Sequence, residues 1–158
     1  MIIKYLLIVV ILLSQILLVN AAVLDGFVET VTDGDTIKIK SSDKIYIVRL
    51  YGIDAPEKNQ PYGNNSTKFL KDKIENKHIS VNFSSKDKYG RIVGKVYHNE
   101  TYINEYLIKN GKAWHYKKYS NDKDLNNAEN FAKENRLGIW KFESVIAPWD
   151  WRKKKTKN

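Results

Sequence analysis

Three carboxylates lie at the ends of short segments that are rich in β-branched residues. Asp35 stands in the run TDGDT (residues 32–36), and Asp54 and Glu57 stand in the run IDAPE (residues 53–57). Two carboxylates brought together repel each other unless a cation lies between them. Because neither His nor Cys is near them in the sequence, a site made of these oxygens favours Ca²⁺ over zinc or copper.

Each of these motifs by itself also fits an ordinary turn. Asp33-Gly34 is a tight-turn signal, and Pro56 fixes the backbone beyond Asp54. The aspartates would then only cap hairpins. The two interpretations differ in whether Asp35 and Asp54 meet in space, as the strands of an antiparallel meander would allow.

Arg49 precedes the second motif and shares a strand face with Ile45 and Ile47 if the segment alternates as a β-strand. If that face turns inward, the guanidinium requires an anionic partner, because an unpaired buried charge is costly. A structural ion pair with Glu57 or Asp35 would satisfy this requirement. A role in binding an anion from outside the protein is the other interpretation.

A second arginine, Arg91, follows the turn DKYG (residues 87–90). A guanidinium presents a planar fork of donors that matches two phosphate oxygens, which lysine cannot reproduce. Two arginines and three carboxylates together form the set of groups needed for a metal-assisted attack on a phosphodiester.

Residue periodicity predicts the elements that must position these groups. Segments 27–31, 36–40 and 45–50 predict a three-stranded meander, and segments 78–83 and 91–97 predict two further strands. Apolar residues at helical spacing predict a helix over 65–75 and two later helices, one with the stripe Ile103, Tyr106, Leu107 and one with the stripe Leu125, Ala128, Phe131, Ala132. We predict an α+β, mainly β fold, a five-stranded OB-fold barrel with three helices.

Composition narrows the range of functions. The 158 residues include 27 Lys and Arg against 18 Asp and Glu, a formal charge of +9 that favours an anionic partner. The absence of cysteine excludes a disulfide scaffold, a thiolate metal site and a cysteine nucleophile. Three scattered histidines do not make a convincing zinc site: His78, His98 and His115.

Three stretches resemble the signature motifs of the thermonuclease family, the Ca²⁺-dependent enzymes similar to micrococcal nuclease. They are DGDT (residues 33–36), RLYGIDAPE (residues 49–57) and DKYGR (residues 87–91). The similarity continues to RLGIW (residues 136–140) and so covers nearly all of the chain after its first 21 residues. The resemblance implies a Ca²⁺-dependent endonuclease that hydrolyses phosphodiester bonds of DNA and RNA and leaves 3′-phosphates. It also implies a barrel of five strands with three helices.

The resemblance implies roles for individual residues. Ca²⁺ would be bound by the carboxylates of Asp35 and Asp54 and by the main-chain oxygen of Ala55. Many relatives have Thr in place of Ala55, and this change should spare a main-chain ligand. The catalytic set would comprise a general base, Glu57, and a phosphate clamp of two arginines, Arg49 and Arg91.

The resemblance further implies that Lys88 and Tyr89 contact the substrate beyond the phosphate, and Tyr119 is a third candidate for this contact. Aromatic rings stack on any base, so a preference for single-stranded DNA or RNA is expected. Ordinary packing of an amphipathic ring at the rim is the alternative for Tyr119. No protein partner is implied, and we expect a monomer.

The two ends of the chain carry separate predictions. Lys4 followed by an apolar run over 5–19 and the small residues of 19–21 predicts an export signal peptide at 1–21, and an uncleaved membrane anchor is the alternative. Export would place the protein outside the cytoplasm, either extracellular or periplasmic. The nuclease domain is predicted at 22–151, and 152–158 is predicted to be a basic tail. We expect Trp149 and Trp151 to pin the terminus while the lysines stay mobile.

Two other functions compete with the nuclease. A non-catalytic OB-fold module would bind nucleic acid without cutting it, and a cationic surface-binding protein would use the lysine-rich tail. The first should have lost carboxylates or arginines, whereas every matched catalytic position is retained. The second leaves the placement of the three carboxylates unexplained.

Overall fold

The chain forms eight strands and four α-helices over residues 22–155, the part that the computed structural model describes. In chain order the strands are β1 (Ala22–Val31), β2 (Thr36–Ser41), β3 (Lys44–Leu50), β4 (Ile53–Asp54), β5 (His78–Lys86), β6 (Ile92–His98), β7 (Thr101–Tyr102) and β8 (Trp114–His115). The helices are α1 (Gly63–Ile74), α2 (Ile103–Lys109), α3 (Lys123–Glu134) and α4 (Pro148–Lys155), with a 3₁₀ turn at Gly138–Lys141 before α4.

Five of these strands close into a barrel. β1 lies between β2 and β5, and β3 and β6 extend the sheet on either side, all in antiparallel pairs. Parallel pairing of β3 with β6, with Val48 opposite Ile92, closes the ring. The predicted five-stranded OB-fold barrel is therefore confirmed, and α4 follows the three predicted helices.

The core fills the barrel and continues beneath the helices. Inward side chains alternate along the strands, as the pleat requires. Leu70 and Ile74 of α1 and Leu107 of α2 are fully buried against this interior. The strands contribute β-branched and leucine side chains that include Val28, Ile37, Ile39, Val48, Leu50, Val81, Ile92 and Val96.

The structure decides which face of β3 turns inward, a point that the sequence left open. Ile45 and Ile47 are 59% and 42% exposed, whereas Val48 and Leu50 are buried. The face that carries Arg49 therefore turns outward at the barrel rim. The reason is register, because the alternate residues Val48 and Leu50 are the ones that complete the core.

One residue of the predicted stripe on α3 lies outside the core. Leu125, Ala128 and Ala132 are buried, but Phe131 is 44% exposed. The buried stripe is narrow, because Leu125, Ala128 and Ala132, at spacings of three and four residues, already fill the contact between α3 and the core. The Phe131 ring instead lies 5.3 Å from the ammonium of Lys109.

A two-stranded ladder ties the second acidic motif to the later part of the chain. β4 pairs antiparallel with β8, with Ile53 opposite His115 and Asp54 opposite Trp114. The His115 N–H in turn donates to the Glu129 carboxylate of α3 at 3.0 Å. The segment that carries Asp54 is thus fixed from both sides.

The structure covers part of the two regions at the chain ends, residues 1–21 and 152–158, for which separate predictions were made from the sequence. The predicted signal peptide at 1–21 lies outside the described residues. Within 22–155, no helix has the length and apolar character needed to span a bilayer. The boundary predicted between residues 151 and 152 falls inside α4, which continues to Lys155.

Candidate active site

All nine site residues nominated from the sequence line one cleft of about 840 Å³ at the barrel rim. The nine residues that the cleft brings together are Asp35, Arg49, Asp54, Ala55, Glu57, Lys88, Tyr89, Arg91 and Tyr119. The other residues of its wall include Tyr116 and Arg152.

Asp35 is held at the start of β2 by a closely packed turn. Its Oδ2 accepts the Ala55 N–H at 2.7 Å, and its Oδ1 accepts the Thr36 hydroxyl at 3.1 Å. Gly34 permits this approach, because a Cβ there would lie 2.6 Å from the Cβ of Ala55. Burial raises the pKa of Asp35 to about 7 although Arg49 opposes the rise, and the carboxylates of Asp33 and Asp54 add to it.

Arg49 joins the two buried aspartates. Its Nη2 lies 3.0 Å from Asp35 Oδ2 and 3.0 Å from Asp54 Oδ1. Its Nη1 donates to the Leu50 carbonyl at 3.1 Å. Because both carboxylate oxygens lie 3.0 Å from the same nitrogen, they are at most twice that distance from each other. Asp35 and Asp54 meet in space, as the meander interpretation requires, and the simple turn interpretation does not account for this.

Glu57 lies at the edge of the same cleft in the loop between β4 and α1. Its side chain is 39% exposed. Its N–H donates to the Gln60 side chain at 3.1 Å, and its carbonyl accepts the Gln60 N–H at 2.8 Å. Gly63 packs directly on this carbonyl, because a Cβ there would lie 1.9 Å from the oxygen. The start of α1 thus fixes the loop that carries Glu57.

Arg152 of α4 reaches the carboxylates from the far end of the chain. Its Nη2 lies 2.8 Å from Asp54 Oδ2, and its Nη1 lies 3.2 Å from Asp54 Oδ1 and 2.7 Å from Glu57 Oε1. Burial lowers the pKa of Arg152, but the hydrogen bonds to both carboxylates outweigh it and raise that pKa above its usual value.

Arg152 lies in the segment predicted from the sequence to be a basic tail and was therefore not among the predicted site residues. The available signal was the pair of tryptophans expected to pin the terminus. Trp149 stacks on Tyr116 with ring centroids 5.1 Å apart and planes at 6°. Arg152 follows Trp149 by three positions, so the two share a helix face, and docking of one brings the other to the cleft.

Arg91 takes a different position from Arg49. It precedes β6 rather than starting it, and its Nε donates to Asp87 Oδ2 at 2.7 Å. Burial acts to raise the pKa of Asp87, yet the hydrogen bonds from Arg91 hold that pKa below its ordinary value. Arg91 faces the cleft without contacting the carboxylates held by Arg49.

The nominated aromatic residues are open to solvent at the cleft wall. Tyr89 is 72% exposed and Tyr119 is 61% exposed. The ammonium of Lys88 lies 5.0 Å from the Tyr89 ring centroid, and the Arg91 guanidinium lies 5.5 Å from it. Tyr119 meets Tyr116 edge-on at 4.8 Å. Exposed rings beside cations are suited to stacking with a planar, anionic ligand.

The donor set at Asp35 and Asp54 suits a hard cation. Both carboxylates are buried, and the main-chain carbonyl of Ala55 follows Asp54 directly, so the potential metal ligands are oxygen atoms. Residues 22–155 contain no group of three or more His, Cys, Asp or Glu side chains arranged to hold a metal ion. Main-chain oxygen and water would therefore have to complete the ligand shell.

Comparison with known proteins gives a consistent result. A family model described as staphylococcal nuclease homologue matches residues 47–142. This chain belongs to the staphylococcal nuclease homologues. An uncharacterized endonuclease of Escherichia coli is 38% identical over 138 residues, which cover 87% of this chain and 90% of that protein.

Two further relatives support the same family. An uncharacterized endonuclease of Haemophilus influenzae is 36% identical over 129 residues, or 81% of this chain and 72% of that protein. A staphylococcal-like nuclease of Arabidopsis thaliana is 39% identical over 112 residues, or 71% of this chain and 35% of the plant protein. The thermonuclease resemblance stated from the motifs is confirmed. Within this staphylococcal nuclease homologue, the family match includes Arg49, Asp54, Glu57 and Arg91 and ends before Arg152.

Proposed function

We propose that this chain is a Ca²⁺-dependent nuclease that hydrolyses phosphodiester bonds of DNA and RNA. The observation that carries the proposal is the convergence of Asp35 and Asp54 on one nitrogen of Arg49 inside the shared cleft. Membership of the staphylococcal nuclease homologues indicates the reaction class, and the oxygen-only donor set favours Ca²⁺. The Ca²⁺ ligands in this proposal are Asp35, Asp54 and the carbonyl of Ala55.

The chain's own residues divide the chemical work. Glu57 is the general base that takes a proton from the attacking water, which its partly exposed position allows. Arg49 and Arg91 donate to the phosphate oxygens, where negative charge grows as phosphorus becomes five-coordinate. When bound, the cation supplies positive charge beside the phosphate. The expected products carry 3′-phosphates and 5′-hydroxyls.

Substrate is held beyond the phosphate by the open side of the cleft. Lys88 adds positive charge, and Tyr89 and Tyr119 present exposed rings on which unpaired bases stack. This mode of contact does not read the sequence, so single strands of DNA and RNA are both substrates and are preferred to duplex. A monomer suffices, because every proposed group comes from one chain.

A chelator experiment tests the metal, the substrate and the chemistry together. End-labelled single-stranded DNA and RNA are incubated with the protein in Ca²⁺, in EGTA, and in EGTA followed by excess Ca²⁺. Cleavage in the first and third conditions alone is expected, with ends that become ligatable only after a 3′-phosphatase treatment. Cleavage in EGTA, or 3′-hydroxyl ends, would contradict the proposal.

A matched pair of variants tests the base. Glu57→Gln keeps the shape of the side chain but cannot accept the proton, so kcat should fall by about a hundredfold or more. Glu143→Gln, at an exposed position outside the cleft lining, should retain the wild-type rate. Binding of labelled DNA by both variants separates lost chemistry from lost affinity. If wild type binds DNA and Ca²⁺ without cutting, the non-catalytic OB-fold module is the correct alternative.

We also propose that the protein is exported. The apolar run over 5–19 after Lys4, with small residues at 19–21, supports a cleaved signal peptide. Expression of the full chain in a bacterial host should yield periplasmic or culture-medium protein whose first residue is Ala22. Retention of Met1 in a membrane fraction would instead establish the uncleaved anchor.

A further inference from the structure

Both carboxylate oxygens of Asp54 are engaged by arginine. Oδ1 accepts from Arg49 at 3.0 Å and from Arg152 at 3.2 Å, and Oδ2 accepts from Arg152 at 2.8 Å. Asp54 itself is 1% exposed. A cation that takes an oxygen of Asp54 must therefore share or replace a guanidinium contact.

The two arginines are not equally easy to displace. The Arg49 side chain is 16% exposed, lies within β3 and donates also to Asp35 and to the Leu50 carbonyl. The Arg152 side chain is 44% exposed and lies on α4, a helix of eight residues near the end of the described chain. Arg152 lies on a helix outside the barrel strands and is the more exposed of the two, so we take it as the contact that a cation replaces.

The C-terminal helix is docked by contacts separate from the ion pairs. Trp149 stacks on Tyr116, and the Trp151 indole N–H donates to Asn59 at 3.4 Å. The Gln60 side chain donates to the Ile146 carbonyl at 2.6 Å just before the helix. The helix therefore has a defined seat, and Arg152 enters the site as part of it.

Arg152 also offsets negative charge in the cleft. Asp35, Asp54 and Glu57 place three carboxylates in one part of the cleft, and Arg49 is shared between the first two. Arg152 bonds to Asp54 and Glu57 and so offsets charge that Arg49 does not reach. A bound divalent cation would make that contribution redundant.

We propose that Arg152 is a positioning residue that competes with the catalytic cation for Asp54 and couples metal binding to release of the C-terminal helix. This inference rests on the proposed function and adds a device that lowers cation affinity. By linkage, a residue that opposes the cation is itself opposed by the cation to the same extent. Removal of the guanidinium should therefore tighten metal binding, and Ca²⁺ should loosen α4.

Calorimetric titration with Ca²⁺ in the absence of nucleic acid measures the first effect. Arg152→Gln should bind Ca²⁺ about tenfold more tightly than wild type, within the usual range of coupling between sites. Lys154→Gln removes the same charge from an exposed position on the same helix and should change the affinity less than twofold. Arg152→Lys, which keeps the charge but loses the fork, should fall between wild type and Arg152→Gln. Equal or weaker Ca²⁺ binding by Arg152→Gln overturns the inference.

Hydrogen exchange of the 148–155 segment measures the reciprocal effect. Saturating Ca²⁺ should speed exchange there in wild type, whereas Arg152→Gln, which keeps the Trp149 and Trp151 contacts, should already exchange faster than wild type without Ca²⁺ and should not respond to Ca²⁺. No response of the wild-type segment to saturating Ca²⁺ overturns the coupling. Circular dichroism and the thermal midpoint of each variant in EGTA verify that the barrel is intact.

The two proposals fail in different ways. Nuclease activity with equal Ca²⁺ affinities in wild type and Arg152→Gln overturns the competition alone. A tenfold affinity difference without cleavage of any nucleic acid overturns the nuclease assignment alone. No Ca²⁺ binding by any variant overturns both.

Discussion

Arg49 has a structural task in addition to the phosphate contact proposed for it. One of its nitrogens stands between two buried carboxylates, so its loss would leave both aspartates without this partner. A lower cleavage rate in an Arg49 variant could therefore arise from the lost phosphate contact or from displacement of the two aspartates. The Arg91 side chain pairs with the partly exposed Asp87 and lies beside the exposed Tyr89 ring, away from the two buried aspartates, so it is the cleaner probe of phosphate contact.

Arg91→Ala should lower kcat by about a hundredfold, because it removes a fixed donor to the charge that develops on phosphate. The Ca²⁺ affinity and the thermal midpoint should change little, since the ion pair it breaks is 30% and 20% exposed at its two ends. Steady-state cleavage of single-stranded DNA, with Ca²⁺ titration alongside, measures both. Lys38→Ala, an exposed cation on β2, is the control, and equal rates for the two variants would remove Arg91 from the clamp.

Most of the proposed site could be predicted from the sequence because its residues lie within short motifs. Asp54 and Glu57 are three positions apart, and the meander brings Asp35 to them. Arg152 could not be found in this way. Its partner Asp54 is 98 positions earlier, and local patterns do not encode a contact between side chains so far apart in the chain.

At the scale of elements, α1 determines where the proposed base stands. Gly63 begins α1 against the Glu57 carbonyl, and only the absence of a side chain allows that approach. The helix is in turn anchored by Leu70 and Ile74 in the core. The loop that carries Glu57 is thus positioned by helix packing in addition to its own hydrogen bonds with Gln60.

Gly63→Ala should displace the Glu57 loop, because the new Cβ overlaps the Glu57 carbonyl. We expect a loss of about 1–3 kcal/mol in unfolding free energy, as for other overpacked sites. We also expect kcat to fall by about tenfold or more, since a misplaced general base loses alignment. Denaturant unfolding and cleavage rates provide the measurements. Asn64→Ala, at the next and exposed position of α1, should leave both near wild type, and the same result for Gly63→Ala would refute this role.

The buried carboxylate of Glu129 links α3 to β8. It accepts the His115 N–H and lies 2.9 Å from the ammonium of Lys133 and 3.2 Å from that of Lys117. Burial acts to raise the pKa of Glu129, but the hydrogen bond and charge of Lys133 and the His115 N–H hold it below its usual value of 4.5. The ionised form is therefore the one that the fold stabilises.

The pH dependence of stability follows from this depressed pKa. Glu129 contributes stability that is fully present above its unfolded value of 4.5 and is lost as the pH falls through its lower folded value. Glu129→Gln should remove that part of the acid sensitivity and lower stability at neutral pH by about 1–3 kcal/mol. Urea unfolding across this pH window measures both. Glu134→Gln, exposed on the same helix, should retain the wild-type slope, and an unchanged slope in Glu129→Gln would contradict the assignment.

For the whole molecule, the sequence predicted the barrel and the pinning of the terminus by Trp149 and Trp151, but not that this segment forms the helix α4. Alternation in the strands and the order of turns suffice for a five-stranded closed sheet. α4 has no amphipathic stripe, because it lies across the cleft rim and docks through Trp149 and Trp151 instead of packing on the core. A helix held by one ring stack and one indole hydrogen bond leaves little periodic signal.

The lysines that follow Arg152 add positive charge that attracts nucleic acid over a long range. Replacing Lys154, Lys155 and Lys157 by Gln should raise KM for single-stranded DNA at low salt, and the difference should fade as salt rises. Each lost phosphate contact should reduce the slope of log K against log salt by about 0.7. The same triple change at Lys38, Lys40 and Lys44, outside the cleft lining, should have a smaller effect, and equal effects would leave the tail without a specific role.

The pairing of Asp54 with Trp114, and the reach of Arg152 to the same carboxylate, have a consequence for biosynthesis. A nascent chain that has emerged from the ribosome only as far as β6 already has both aspartates but neither Trp114 nor Arg152. Such a chain lacks both the β8 partner of the Asp54 segment and the Arg152 contact to its carboxylate. The segment that carries Asp54 therefore gains its full set of contacts only late in synthesis.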